Sequence, residues 1–316
     1  MKKKIFSAVT ALALCLSLLP AGALASDPVT VVTVTSAEEL KTYFEQAGYK
    51  AESSVPNKIS IQVPDTPDPN HPTEITADLQ ISCNVSIEIT GQLDMGGHYI
   101  LINRGANVEI SQMGAGGITG TGSNTQNAVV AAAPGSILTL RSITIASSGG
   151  AGSCGVRVMP SIKKQDTTLT LEDVTIEANQ DSGIGICLES SAATTITGSC
   201  NISGATGIKI KSGTLNIGTA NNNQYTYIHG YGLYSEASDN TISDGSAILI
   251  QSSGGAQLSL GPNVNLISSH SYAICEFVPR GGTASKINIE SRSEWVYNME
   301  LASPVQVKNP GNVTVS

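Results

Sequence analysis

The residues that could carry out acid–base chemistry are sparse and scattered along the chain. It has 25 Asp and Glu residues among 316, and no two of its aspartates are adjacent. Glycoside hydrolases need two carboxyl groups at a set separation, one acting as the acid and the other as the base or nucleophile. Because its few aspartates form no adjacent pair, the sequence disfavours catalysis.

A cluster of aromatic residues favours ligand binding instead. The chain has 9 Tyr, 3 Phe and 1 Trp, and six of these residues fall between residues 225 and 277. A tyrosine ring has a flat apolar face that can cover a sugar ring, and its hydroxyl can reach water or ligand. The alternative is that Tyr225 and Tyr227 fill a wide corner of the fold. We predict a glycan-binding surface made of Tyr225, Tyr227, His229, Tyr231, Tyr234, His270 and Tyr272.

The cysteines give no sign of a metal site. Five of them follow residue 25, and an odd number cannot pair completely within one chain. Cys83 and Cys200 fall on the apolar phase of their segments, so we interpret them as small core residues. Disulfide pairing is the alternative. The spacing fits no zinc pattern, and we predict no metal and no cofactor; the five are Cys83, Cys154, Cys187, Cys200 and Cys275.

The elements that must position these residues are short strands that recur in a fixed order. Residues 138–145, 169–176 and 195–202 read LTLRSITI, LTLEDVTI and TITGSCNI. Each segment is apolar at every second position, which is the period of a strand with one buried face. A second kind of strand reads GVRV from residue 155 and GIGI from residue 183.

The spacing of these strands predicts a solenoid, because coils of about 25 residues become stable when equivalent strands stack in parallel and in register. An antiparallel sandwich has no reason to repeat two kinds of strand in one order. We therefore predict an all-β fold, a right-handed parallel β-helix whose strands have one wet face. The equivalent residues of the second kind of strand, Gly155, Gly183 and Gly207, are 28 and 24 residues apart. Those of the first kind, Leu171, Ile196 and Ile217, are 25 and 21 residues apart.

The first 25 residues have the features of a secretory signal peptide. Three lysines precede an apolar run from Ile5 to Leu19, and residues 23–25 read Ala-Leu-Ala, a small-residue cleavage site. The run is shorter than the roughly 20 apolar residues of a membrane span, and no later segment comes close. We expect an exported protein, secreted or held at the cell surface, with no membrane span.

Composition and charge narrow the class of partner. Charged residues make up only 13% of the chain and the formal net charge is −8. An acidic, exported chain without basic clusters binds nucleic acid poorly. We exclude nucleic acid as a partner and expect a polysaccharide or a glycan on a host or other cell surface.

Residues 26–57 are predicted to form an N-terminal strand and a capping helix. Residues 29–34 suit a first strand, and Ser36 to Glu39 is a capping box followed by apolar residues on one helical face. Such a helix would cover the open end of the solenoid; a partner-binding helix is the alternative. We assign residues 58–316 to the β-helix. The chain ends on a strand without an evident cap, which leaves two interpretations open: further coils or domains follow Ser316, or the last coil is exposed for assembly.

Several elements carry a resemblance to a known family. They are the helix at Ser36, LDMGGH at residues 93–98, VEI at 108–110, GITG at 117–120 and the LTLxxITI coils. Together they resemble pectate-lyase-like β-helix proteins, in particular adhesin-like proteins exported by bacteria, many of them gut anaerobes. There the second element usually reads Leu-Asp-Leu-Asn-Gly-His, so Met95 and Gly96 are departures. The resemblance covers about residues 36–289 and implies the fold more strongly than the function, because the same coil carries lyases, hydrolases, adhesins and spacers.

The resemblance implies two functions. Pectin-degrading enzymes on this fold use carboxylates, calcium and basic residues, and Lys209, Lys211, His229 and Asp181 resemble the pieces of a polygalacturonase site. In that family the basic motif follows the histidine, whereas here it precedes His229. We therefore predict an adhesin-like surface scaffold or glycan-binding module without catalysis. The alternative is a polysaccharide lyase or glycoside hydrolase of the pectin-degrading type.

Outward polar residues of successive coils are predicted to form columns. We interpret these columns as ordinary wet strand faces rather than as a surface that binds ice or crystalline glycan. The first column contains Thr139, Thr170, Thr195, Asn216, Ser259 and Asn288, and the second contains Thr144, Thr175, Asn201 and Asn265.

The later coils leave one point of topology open. From Gly207 to Ala247 there are 40 residues, which is too long for one regular coil. Either a short extra coil lies near Gly232, or a loop from Tyr231 to Ser246 leaves the solenoid. Loops on a rigid scaffold often carry function, so within the predicted surface Tyr231 and Tyr234 are the stronger candidates.

Overall fold

The computed structural model describes residues 30–33, 58–63, 75, 77–161, 167–218, 224–233, 245–278, 280–290, 295–298, 305–306 and 312–315. The predicted signal peptide and the predicted helix that begins at Ser36 lie outside this set. The strands of the described residues pair in parallel and form a right-handed parallel β-helix, which confirms the predicted fold. No helix in the described part of the chain is long and apolar enough to cross a membrane.

The described strands form two hydrogen-bonded parallel sheets, one of nine strands, named sheet I, and one of seventeen. Each regular coil contributes one strand to sheet I and one to each of two parts of the larger sheet, which we name sheets II and III and which are joined in the early coils. Sheet I contains β3 (Leu79–Ile81), β5 (Ile100–Ile102), β7 (Ala128–Ala132), β10 (Cys154–Val158), β13 (Ile184–Leu188), β16 (Thr206–Ile210), β19 (Ile248–Gln251), β22 (Ile274–Phe277) and β25 (Val305–Gln306). Sheet II contains β1 (Thr30–Thr33), β2 (Lys58–Gln62), β4 (Val85–Asp94), β6 (Asn107–Gly120), β8 (Ile137–Arg141), β11 (Thr167–Glu172), β14 (Ala192–Thr197), β17 (Thr214–Ile217), β20 (Gln257–Leu260), β23 (Lys286–Ile289) and β26 (Val313–Val315). Sheet III contains β9 (Thr144–Ser147), β12 (Thr175–Ala178), β15 (Asn201–Gly204), β18 (Thr226–Gly230), β21 (Val264–Ser268) and β24 (Trp295–Asn298).

The corner between sheets II and III is made by a sharp bend of the backbone. In the early coils β6 runs through this corner, pairing with β8 along its first residues and with β9 along its last. In later coils the corner contains one residue with a positive φ, between 47° and 79°. Glycine, asparagine and aspartate tolerate this left-handed conformation best. The corner residues are Ser142, Asp173, Gly198 and Asn263.

The stacking register confirms the residue matches predicted from the sequence repeat in sheet II, but it differs from the predicted matches in sheet I. Leu171, Ile196 and Ile217 are neighbours in successive coils, as predicted. In sheet I, however, Cys154 pairs with Ile184, so the partner of Gly155 is Gly185 and the predicted match with Gly183 is wrong. The segment GIGI has two glycines two residues apart, and a shift of two leaves the alternation of faces unchanged.

The glycine column of sheet I has a steric cause. A Cβ atom on Gly155 would lie 2.5 Å from Ile176 of sheet III, and one on Gly207 would lie 2.6 Å from Ile228. Gly185 faces Ile202 in the same way, at 2.8 Å. In these three coils sheets I and III therefore approach so closely that only a residue without a side chain fits at this position.

The interior of the solenoid is one continuous apolar core that extends from Ile59 to Ile287. Val174 is fully buried and Cys200, its counterpart in the next coil, is also buried. Cys83 belongs to the same core. These positions confirm that the apolar phase of the alternation points inward.

The outer face of sheet I departs from the expected wet surface. Ala128, Ala131, Cys154 and Cys187 are buried there and form a second, smaller apolar cluster. Met159 is among the partly buried residues that pack against it. The expectation of one wet face is therefore wrong for this part of sheet I, because contacts between residues distant in sequence override the local pattern.

The long gap after Gly207 holds no extra coil of the solenoid. Strand β16 pairs directly with β19, so no strand of sheet I lies between them. After β18 the described chain continues to Leu233 and resumes at Gly245. A Cβ atom on Gly245 would lie 1.6 Å from the Gly232 carbonyl oxygen, so the two backbone segments pass too close there for a side chain.

Buried thiols give a first test of the core. All five cysteines after residue 25 are free and buried, and burial raises the pKa of Cys200 to about 11. Because the thiolate is the reactive form, we expect fewer than one of the five thiols of residues 26–316 to react rapidly with a disulfide reagent in the native state. In denaturant without reductant, all five should react. A count of three in denaturant would instead show one disulfide.

Candidate functional site

An outward row of aromatic side chains follows strand β18. Thr226 and Ile228 of this strand are fully buried, and the Thr226 hydroxyl donates a hydrogen bond to the Gly198 carbonyl oxygen, 3.1 Å away. Because side chains alternate between the two faces of a strand, the odd-numbered residues on either side point outward. We name these four residues, Tyr225, Tyr227, His229 and Tyr231, the aromatic row.

The aromatic row consists of two ring pairs. The rings of Tyr225 and Tyr227 lie 6.4 Å apart between centroids and are tilted by 36°. The rings of His229 and Tyr231 are stacked, with centroids 3.8 Å apart and planes 21° from parallel. Tyr225 is 37% exposed and Tyr227 is 44% exposed. These two rings therefore do not fill a corner of the interior, which was the alternative considered from the sequence.

His229 is held in place by the next coil. Its Nε2 atom lies 3.0 Å from the Ser269 Oγ atom, within hydrogen-bond distance. Burial lowers the pKa of His229 from its ordinary value of 6.5. At neutral pH the ring is therefore mostly uncharged, and one of its faces is covered by the Tyr231 ring.

Uncharged residues flank the aromatic row on neighbouring strands, and those beside Tyr227 are polar. Tyr227 lies in register between Asn201 of β15 and Asn265 of β21. His229 lies in register between Ser203 and Ile267. The predicted second polar column is thus present, but it also contains Tyr227, between Asn201 and Asn265, which the sequence analysis did not predict.

The seven predicted site residues divide into three groups. Four of them form the aromatic row. His270 and Tyr272 lie in the turn between β21 and β22, next to Ser269, whose hydroxyl contacts His229. Tyr234 lies outside the described residues. The signal for the row was present in the sequence as four aromatic residues at every second position from residue 225 to residue 231.

A second arrangement of charged groups lies on the outer face of sheet I. The Glu189 carboxylate forms ion pairs with Arg157, one coil before, and with Lys211, one coil after. Arg157 Nε donates to Glu189 Oε2 at 2.6 Å, and its Nη1 donates to the Gln126 carbonyl oxygen at 2.6 Å. We name Arg157, Glu189 and Lys211 the ion triad. The sequence analysis did not identify it, because its members are distant in sequence.

The pKa of Glu189, the carboxylate of the ion triad, is shifted in a direction that agrees with the geometry. Burial alone would raise the pKa of Glu189, but the hydrogen bonds and charges of Lys211 and Arg157 outweigh it, so the pKa is lowered. Lys209 lies beside the triad, and burial lowers its pKa. Perturbed groups cluster at functional sites and also in structural ion networks. Here the carboxylate is fully occupied by its two cationic partners, which favours a structural role.

The residues that resemble parts of a polygalacturonase site do not converge. Lys209 lies on the outer face of sheet I, whereas His229 lies on the outer face of sheet III. Asp181 lies in the exposed turn between β12 and β13, where its amide donates to the Asn179 Oδ1 atom at 2.9 Å.

The chain was compared with known proteins at three levels. No protein-family model, no curated protein and no solved structure matches it. The argument for function therefore depends on the aromatic row and on the features of the sequence.

Proposed function

We propose that the protein is an exported, adhesin-like member of the pectate-lyase-like β-helix proteins that binds a glycan through the aromatic row and does not act by catalysis. The observation that carries the proposal is the exposure of Tyr225 and Tyr227 on a rigid strand. An exposed tyrosine with a fixed ring orientation offers contact area at little cost in conformational entropy. The signal-peptide features of residues 1–25 support export to the cell surface or the medium.

The fold suits a binding module because the scaffold behind the row is fixed. Ile228 is buried beneath the row, and β18 pairs in register with β15 and β21 on its two sides. The positions of the backbone are therefore set before any ligand arrives. A glycan would lose less free energy to ordering of the protein than it would on a mobile loop.

A glycan array probed with residues 26–316 tests the proposal directly. We expect binding to one or a few related glycans, with no change in their chain length after prolonged incubation. The competing function is pectin degradation, and its assay is release of unsaturated or reducing ends from polygalacturonate with and without calcium. Turnover there would replace binding with catalysis as the function.

Removal of the two most exposed rings should abolish most of the affinity. For a glycan found on the array, Tyr225→Ala combined with Tyr227→Ala should raise Kd at least tenfold, about 1.4 kcal/mol. The fold should survive because both side chains point outward. The matched control is Thr139→Ala combined with Thr170→Ala, neighbours in the polar column of sheet II, which should leave Kd unchanged. The reverse result would move the site from the aromatic row to that column.

A further inference from the structure

We infer that the ligand of the aromatic row is a single, uncharged glycan chain lying along β18, and that acidic glycans are disfavoured. This inference rests on the proposed function and specifies its ligand class. It follows from three observations: the tilt of the rings, the direction of the row and the distribution of charge around it.

The tilt of the rings selects one chain over a crystalline surface. A flat crystal face can contact several rings at once only if those rings are nearly coplanar. The planes of Tyr225 and Tyr227 differ by 36°, so a flat face cannot lie against both. A single chain can turn between successive sugar units and place one unit on each ring.

The direction of the row sets how the chain lies. The four aromatic positions follow one strand and span six residue steps, roughly 20 Å at about 3.3 Å per residue. In the neighbouring coils the position of Tyr227 is taken by Asn201 and Asn265. The apolar contact surface is therefore a line along β18, across the solenoid axis, with amide side chains beside it at the Tyr227 position.

The segment that carries the row offers no basic side chain to pair with an anion. The sequence contains no Lys or Arg from residue 212 to residue 279, a segment that includes the row and the coil after it. Within the row, His229 is the side chain that could become positively charged, and burial lowers its pKa.

The titratable groups that face the row from the preceding coils are acidic. Glu177 lies in register with Ser203, two coils before His229. Asp173 accepts a hydrogen bond from the Gln224 side chain, 3.4 Å away, beside the start of the row. A carboxylated glycan would meet like charge without a compensating cation, which costs affinity.

Pairs of polysaccharides that share a backbone and differ in charge provide the test. Suitable pairs are hydroxyethylcellulose with carboxymethylcellulose, dextran with carboxymethyl dextran, and highly methyl-esterified pectin with polygalacturonate. Within a pair that binds residues 26–316, we expect the uncharged member to bind at least tenfold more tightly. We also expect its Kd to change less than twofold between 50 and 500 mM salt, roughly 14 and 4 Å of Debye length, because no ion pair is screened. Crystalline cellulose should bind no better than its soluble derivative.

A substitution beside the row makes the test sharper. Asn201 is exposed and lies in register with Tyr227. Asn201→Lys should raise the affinity for the acidic member of the pair at least threefold at low salt, whereas Asn201→Asp should not. Both variants should retain binding to the uncharged member.

The outcomes separate this inference from the function on which it rests. Equal or tighter binding of the acidic member, or preference for crystalline cellulose, overturns the inference and leaves glycan binding in place. Absence of binding to every polysaccharide and to the whole glycan array overturns both.

Discussion

Val174→Asp should lower the thermal unfolding midpoint by roughly 8 °C or more, whereas Thr175→Asp, one residue further on, should leave it almost unchanged. Val174 is fully buried in the continuous core, and its backbone amide donates a weak hydrogen bond to Cys200 Sγ at 3.4 Å. A carboxyl group at this position would lose its hydration without gaining a partner, at a cost of about 4 kcal/mol. For a chain of this size such a cost corresponds to the stated shift of midpoint.

Thr175→Asp is the matched control because it adds the same group to the opposite face. Thr175 is partly exposed and lies between Thr144 and Asn201, both uncharged. A surface substitution of this kind changes stability by about 0.5 kcal/mol or less. Both midpoints are measured by circular dichroism at one pH and one protein concentration. Equal midpoints for the two variants would contradict the assignment of inward and outward residues.

The stacking register of sheet II could be predicted because the sequence repeats there with little interruption. Thr139, Thr170, Thr195, Asn216, Ser259 and Asn288 form one continuous column, and Thr314 extends it. Period-two alternation fixes the face of each side chain, and the spacing of the repeats fixes which residues stack. Local information was therefore sufficient for this sheet.

The place of the aromatic row was harder to predict because two irregular segments interrupt the repeat around it. The row aligns with β15 only when Ile228 is matched with Ile202, 26 residues earlier. In the coil that follows, Tyr227 pairs with Asn265, 38 residues further along the chain. Periodicity alone could therefore not place Tyr227 in the second polar column between Asn201 and Asn265.

Sheet I carried the least local information. A shift of two residues preserves the alternation of faces, so Gly183 was matched in place of Gly185. The burial of Ala131, Cys154 and Cys187 on the outer face also depends on tertiary contacts that no single strand encodes. The ion triad is missed for the same reason, because its three members come from three successive coils.

The two outer surfaces therefore differ in kind. In the aromatic row, the rings of Tyr225 and Tyr227 are partly exposed to solvent and are not completely covered by the protein. The ion triad instead satisfies its buried carboxylate within the protein. A surface with unsatisfied apolar area favours ligand binding, whereas a satisfied ion network favours stability, and this contrast leads to a second large effect.

Glu189→Gln should destabilise the protein by about 2 kcal/mol at pH 7, although the substitution keeps the size of the side chain. The Glu189 side chain is only 5% exposed and bridges Arg157 and Lys211. Its loss leaves the guanidinium of Arg157, itself largely buried, without a counter-charge. The exposure of Lys211 reduces the cost below that of a fully buried network. Urea unfolding followed by circular dichroism measures the difference.

Glu172→Gln is the matched control, because it removes the carboxylate of another ion pair between neighbouring coils. Arg141 Nη2 lies 3.2 Å from Glu172 Oε2, and the two side chains are 48% and 42% exposed. An exposed pair of this kind contributes about 0–1 kcal/mol. If the two substitutions cost the same, the buried triad has no special role in stability.

The effect of Glu189 should also disappear in acid, which separates a charge effect from a packing effect. The pKa of Glu189 is lowered in the folded protein, so the unfolded chain takes up the proton first as the pH falls. The stabilisation by Glu189 is therefore complete above its unfolded pKa of about 4.3 and is lost as the pH falls through the lower folded value. The difference in stability between the native protein and Glu189→Gln should be constant from about pH 6 to 8 and should shrink below about pH 4. A difference that persists unchanged in acid would mean that Glu189 stabilises the three coils by packing rather than by its charge.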